Sequence, residues 1–300
     1  MFMKKPTAEV INNLSENLEI EGRSLWQDAR IRFMRNKAAM VSLVLLVAIT
    51  LSVIIVPMFS SFAFDDTDWY SLHGAPSMVH LFGTDSLGRD LFVRTFIGGR
   101  ISMMVGVLGA LVAVIIGTVY GATSGFIGGK VDRLMMRTLE ILNSIPFMFL
   151  VIVLVTFFGR HIVLIFVAIG AIAWLDMARI VRGQTLSLRN KEFIEAARVC
   201  GVGNWNIIRR HIIPNVLGIV AVYSTLLVPS MILTESFLSF LGLGVQEPMT
   251  SWGALLQEGA QTMEVAIWQL AFPAAFMVVT LFCFNYIGDG LRDALDPKDR

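Results

Sequence analysis

Apolar positions in this chain gather into runs long enough to cross a bilayer, which takes ~20 mainly apolar residues in a helix. Six such runs stand out, at about 38–59, 101–123, 139–158, 162–179, 216–241 and 265–287. The first, AAMVSLVLLVAITLSVIIVPMF, carries no charge, and the third is interrupted by Pro146. The pattern predicts an all-α polytopic membrane protein with six transmembrane helices. Composition agrees: 55% of the 300 residues are hydrophobic, only 16% are charged and the mean hydropathy is +0.70. A soluble domain of this length needs a larger charged surface. Residues 1–37 are polar and hold no apolar stretch of signal-peptide type, so the first run is expected to remain as a signal anchor.

Net charge is +1, but its distribution along the chain is informative. Segments between runs alternate between rich and poor in Lys and Arg: the first set holds 20 and the second 4. The positive-inside rule then places both termini in the cytoplasm. The 242–264 loop, with Glu247, Glu258 and Glu264 and no base, falls outside. The 60–100 segment is also placed outside, although it carries Arg89, Arg94 and Arg100. Its stretch GRDLFVRTFIGGR looks amphipathic and is expected to lie against the membrane surface.

The runs are more than plain anchors. Gly117, Gly121 and Gly125 recur every four residues, a stripe on one helix face that lets another backbone approach closely. Pro146, Pro229 and Pro273 fall inside runs, where they free carbonyls and kink helices. Ordinary bundle packing accounts for such residues equally well. Glu235 lies inside the fifth run. An intramembrane carboxylate is a candidate pathway or gate residue, or a group hydrogen-bonded between helices.

Several chemistries find no support in the sequence. Gly128-Gly129-Lys130 lacks the upstream glycine and the following Ser or Thr of a phosphate-binding loop. His73, His80, His161 and His211 are scattered, and Cys200 and Cys283 sit in unrelated contexts, so no metal or disulfide pattern arises.

The longest basic loop, DMARIVRGQTLSLRNKEFIEAARVCGVGNWNIIRRHIIPN at 176–215, exceeds the usual ~2–8-residue helix connection. Lys191 to Val199 favours helix and Gly201 and Gly203 end it. Asn204 is placed to cap a following turn that runs to Ile213, and Pro214 is expected to break the chain before the fifth run. Within it, Glu195-Ala196-Ala197, three residues, Gly201, twelve residues and Pro214 resemble the EAA loop of ABC importer permeases. His211 and Ile213 stand where that family usually has Ile and Leu. GTDSLGRD at 83–90, ESFLSFLGLG at 235–244 and GDGLRDALDPKDR at 288–300 resemble segments of the peptide and nickel importer group.

The resemblance implies a type I ABC importer permease fold and a division of the chain. It has a cytoplasmic segment at 1–37, a first span at 38–59 and a periplasmic segment at 60–100. A permease core at 95–291 contains the coupling loop at 180–215, and a tail covers 292–300. Glu195, Ala196, Ala197, Gly201 and Pro214 would dock the ATPase. The implied complex holds a second, different permease, two ATPase subunits and an external peptide-binding protein in a bacterial inner membrane. ATP and Mg would be bound by the ATPase subunits, with no cofactor and no catalytic residue in this chain. Oligopeptides are the expected cargo, with dipeptides, nickel or another small solute as alternatives. An ion-coupled secondary transporter would call for paired membrane charges or an inverted repeat, and a membrane enzyme for clustered catalytic residues. None of these features is evident.

Overall fold

The computed structural model describes residues 25–159 and 162–295, so His161, most of the 1–37 segment and the last five residues of GDGLRDALDPKDR lie outside the described residues. Those described form helices joined by short turns and one long irregular segment. The helices are α1 Leu25–Arg35, α2 Lys37–Phe59, α3 Leu91–Ile127, α4 Gly129–Asn143, α5 Phe147–Phe158 and α6 Ile162–Leu188, followed by α7 Glu192–Val199, α8 Asn204–Phe240, α9 Trp252–Gln261 and α10 Trp268–Leu295. Four of them, α2, α3, α8 and α10, are long and apolar enough to cross a membrane, or five if α4 and α5 count as one broken span.

The run expected at 139–158 is not one helix. α4 and α5 meet at 72°. Pro146 has extended backbone, φ −59° and ψ 121°, and it has no N–H to continue the helical ladder. At 12 residues α5 is only ~18 Å long, well under the ~30 Å hydrocarbon core. α4 carries Lys130, Asp132, Arg133, Arg137 and Glu140 and is strongly two-faced.

The second span is longer than its apolar run. Asp90 accepts a hydrogen bond from the Val93 amide at 2.9 Å and starts α3 ten residues early. Leu91 to Ile97 therefore does not lie on the membrane surface as expected. Leu91, Val93, Arg94, Thr95, Phe96 and Ile97 are all buried in protein. Phe92 and Phe96 pack edge-on to Phe82 and Phe276, at 4.8 Å and 5.1 Å between rings, and Phe82 stacks on Phe272 at 4.1 Å.

α3 is the central post. The glycine stripe faces α6, which runs parallel to it. A Cβ on Gly117 would lie 2.6 Å from the Met177 Cβ, one on Gly121 would strike the Ala178 carbonyl, and one on Gly125 would lie 2.8 Å from the Arg182 carbonyl. Close backbone contact of this kind drives helix association where lipid is as apolar as the side chains. α8 runs antiparallel on another face of α3, with Ile232 and Val228 against Gly106. α2 and α10 pair on the outside, and α2 leaves Val41, Val44, Leu45, Leu51 and Ile55 exposed. Pro229 and Pro273 lie within α8 and α10 without ending them.

Candidate functional site

The EAA segment forms α7 and a tight reversal at one end of the bundle. Ile194 and Ala197 point inward and are buried among Ala122 and Phe126 of α3, Met177 and Val181 of α6, and Ile207, Ile208 and Ile212 of α8. Arg198 lies over the Phe126 ring at 5.0 Å. The other side of the helix is open: Glu195, Ala196, Val199 and Cys200 are exposed, as are Phe193 and Trp205 beside them. An eight-residue helix is too short to hold itself in water, so it persists here because its buried face is packed.

Gly201 ends α7 for a geometric reason. Its φ is +76°, the left-handed region that costs an L side chain ~1–2 kcal/mol. The Val202 amide donates to the Ala197 carbonyl at 3.1 Å and the Gly201 amide to the Arg198 carbonyl at 2.9 Å. These two bonds make a Schellman cap, with Val202 packed beside Ala197. Nothing lies within 4 Å of a Cβ placed on Gly201, so the reversal is exposed.

Pro214 does not break the chain as expected. The helix starts after Gly203 rather than at an Asn204 cap, and continues from Asn204 to Phe240 through the proline. Residues Ile208–Ile212 form a π-turn immediately before it. Widening the turn relieves the clash between the proline ring and the preceding carbonyls. The Asn215 side chain donates to the His211 carbonyl at 2.6 Å.

A charged clamp braces the same end. Arg182 of α6 donates from Nε to Asp132 Oδ1 at 2.5 Å and from Nη2 to Oδ2 at 2.7 Å, and Ser124 donates to Oδ1 at 2.6 Å. Three helices, α3, α4 and α6, are tied there. Sequence reading missed this clamp, since Asp132 and Arg182 are fifty positions apart and neither carries a local signature.

Glu235 sits toward the opposite end and is fully buried. It accepts from Ser102 of α3 at 2.9 Å and from Ser239, one turn on, at 2.7 Å. Ser251, the N-cap of α9, donates to Ser239 at 3.2 Å, and the Trp252 amide donates to Ser102 at 3.2 Å. The Trp252 ring donates from Nε1 to the Thr95 carbonyl at 3.0 Å. One carboxylate thereby joins α3, α8 and the start of α9. The four residues Ser102, Ser239, Ser251 and Trp252 gave no sign in sequence, because their meeting depends on three separate elements.

Beside this knot lies an ion network. Arg94 donates to both carboxylate oxygens of Glu258, at 2.9 and 3.1 Å, and Arg89 donates to Asp85 at 2.6 Å and to Glu247 at 3.0 Å. Burial works against the charge on Arg89, but Asp85, Glu247 and Glu258 more than offset it and hold the guanidinium above its ordinary value. Burial raises the Glu258 carboxyl above the usual range, against the pull of Arg94 and Arg89. The long 60–90 segment is fastened here too. Gln269 of α10 donates to the Thr84 carbonyl at 2.8 Å, and His80 meets Asp90 at 2.8 Å.

Comparison with known proteins bears on both ends of the molecule. Residues 114–300 match the family described as binding-protein-dependent transport system inner membrane component, and residues 24–76 match the N-terminal TM domain of oligopeptide transport permease C. The oligopeptide transport system permease protein OppC of Escherichia coli strain K12 is 69% identical over 302 residues, covering the whole of both chains. Its counterpart in Haemophilus influenzae is 65% identical over 97% of this chain and 94% of its own. The dipeptide transport system permease protein DppC of Bacillus subtilis is 42% identical over 96% of this chain and 91% of its own.

Proposed function

Since the chain belongs to the family of binding-protein-dependent transport system inner membrane components, we propose that it is the permease subunit of an ATP-driven oligopeptide importer and forms the translocation path with a second permease. It is a multi-pass inner-membrane protein. Six spans are reached when α4 with α5 counts as one and α6 as another. The α7 end faces the cytoplasm together with both termini, and the knot around Glu235 faces the periplasm. The 60–100 segment is periplasmic and the permease core occupies about 95–291.

The observation that carries this reading is the open face of α7. A short helix is packed rigidly on α3, α6 and α8, yet leaves Glu195, Ala196 and Val199 uncovered. Small Ala196 admits a close partner surface, and Glu195 offers a charge to a base on it. The partners that fit are two ATPase subunits, which bind ATP and Mg and hydrolyse the nucleotide. This chain contributes shape and gating. Motion of the ATPases enters at α7 and passes through the reversal at Gly201 to α6 and to the first turns of α8, where Pro214 lies. Glu235 belongs to the gate side of the path, where its serine bonds hold α9 against α3 and α8. Peptide selection rests mainly with a periplasmic binding protein.

The oligopeptide relatives, at 69% and 65% over nearly the whole chain, favour oligopeptide cargo. The test is reconstitution in vesicles with the second permease, the ATPases and the binding protein. Uptake of labelled oligopeptides, driven by ATP and needing all four components, is the expected result. ATP-independent uptake that follows an ion gradient would overturn the reading.

A further inference from the structure

α1 presents a surface that none of the other described residues covers. Ala29 and Phe33, four apart, face α10; a Cβ on Gly290 would lie 3.4 Å from the Phe33 ring and 2.5 Å from the Ala39 Cβ. Trp26, Arg30 and Met34 share another face of α1. Trp26 is 53% exposed, Met34 56% and neighbouring Ile31 38%, and Arg30, Arg35 and Lys37 are exposed among them. Asp28, half-buried, is the one acid between residues 25 and 37.

Two features identify the occupant of this face. The first is depth. Gly290 lies about 33 Å along α10 from Trp268, close to the ~30 Å hydrocarbon thickness, so α1 docks at the level of a bilayer surface. The second is continuity. Asn36 alone, with extended backbone, separates α1 from α2, whose exposed Val41, Val44 and Leu45 begin the apolar outer wall. A basic helix whose exposed face mixes Trp26, Ile31 and Met34 with long Arg side chains able to snorkel, continuous with a lipid-facing wall, has the chemistry of a membrane-surface element. We infer that α1 is an interfacial anchor. Trp26, Ile31 and Met34 enter the acyl boundary of the leaflet at the α7 end, and Arg30, Arg35 and Lys37 bind anionic phospholipid headgroups.

The inference rests on the chain spanning the membrane as described above. The test places a fluorophore on Met34→Cys in the full complex, with Cys200 and Cys283 replaced. The complex is reconstituted either in phosphatidylcholine or in an equal mixture of phosphatidylcholine and phosphatidylglycerol. Quenching by lipids labelled near the headgroup should be strong and aqueous iodide several-fold less effective than on a probe at exposed Tyr70. Replacing Arg30, Arg35 and Lys37 by Gln should reduce lipid quenching several-fold in the anionic mixture and little in phosphatidylcholine. Free access of iodide to the probe in both membranes would overturn the anchor. So would equal shielding in lipid-free detergent, which would give the face to a partner subunit. Charge replacement without effect in the anionic mixture would remove the headgroup contact. Sidedness is read separately, from labelling of native Cys200 by an impermeant reagent, so a wrong orientation is recognised without reference to α1.

Discussion

Arg182 grips Asp132 with two parallel bonds, 2.5 and 2.7 Å long, and so fastens α4 to the helix that leads into α7. Lysine cannot reproduce that fork. Arg182→Lys should lower stability by roughly 1.5–3 kcal/mol, the scale of a hydrogen bond to a charged group. Because the clamp lies beside the proposed route of motion, peptide transported per ATP should also fall. Thermal unfolding of the solubilised complex, with paired uptake and ATPase rates, checks both. An unchanged ratio would confine the clamp to stability.

Gly121 and Gly183 make opposite predictions. A side chain at Gly121 runs into the Ala178 carbonyl, whereas nothing lies within 4 Å of a Cβ on Gly183. Gly121→Leu should cost ~1–3 kcal/mol or more through overpacking. Gly183→Ala should be neutral or stabilise by up to ~1 kcal/mol, the difference in helix propensity. Expression level and unfolding temperature in matched detergent separate them.

At the proposed coupling surface, Glu195→Lys reverses a charge and Gly201→Trp puts a bulky residue at φ +76° on the exposed reversal. Both should weaken co-purification of the ATPases and abolish uptake, with membrane insertion intact. Ala197→Trp differs, because Ala197 faces the core beside Phe126, and this variant should reduce folded protein itself. Normal uptake in both Glu195→Lys and Gly201→Trp would remove the coupling assignment.

Glu235 distinguishes a packing hub from a group met by cargo. Glu235→Gln keeps oxygen and size and should retain most of the serine bonds. Glu235→Ala leaves buried hydroxyls without their acceptor, at ~1–3 kcal/mol. If the hub holds the gate, uptake should fall in parallel with stability across the two variants. Loss of uptake in Glu235→Gln at full stability would instead make the carboxylate part of the path.

The Arg94–Glu258 pair should follow the rule for buried charges. Glu258→Ala leaves the fully buried Arg94 guanidinium with only Asp85, 3.4 Å from its Nε, and should cost up to about 3–5 kcal/mol. Replacing both partners by apolar residues of similar size should recover much of it. A double-mutant cycle on unfolding midpoints measures the difference.

Much of this architecture was readable in advance where it rests on local chemistry. Long apolar runs marked α2, α3, α8 and α10, the glycine stripe marked close approach, and Gly201 marked a reversal. Features set by pairing at a distance were hidden. Arg94 looked like an amphipathic surface residue because its acid, Glu258, lies 164 positions away. The break at Pro146 and the passage through Pro214 invert the expected roles of two prolines. A π-turn accommodates one and a charged α4 precedes the other, and neither circumstance is a property of proline itself. For the residues proposed for coupling, the sequence pattern named positions but not orientation. Which side chains face out was decided by the packing of Ile194 and Ala197.

α8 starts at the proposed coupling surface and carries Glu235 near its other end, 31 residues and about 47 Å away along one helix. It therefore works as a lever arm. A tilt of about five degrees at Asn204 displaces the level of Glu235 by about 4 Å, more than the length of any hydrogen bond in the serine knot. No relay of intermediate contacts is required for such a displacement. If α7 receives the motion of ATPase partners as proposed, the stiffness of this single rod, more than the strength of any one bond along it, sets how much of that motion reaches the level of Glu235.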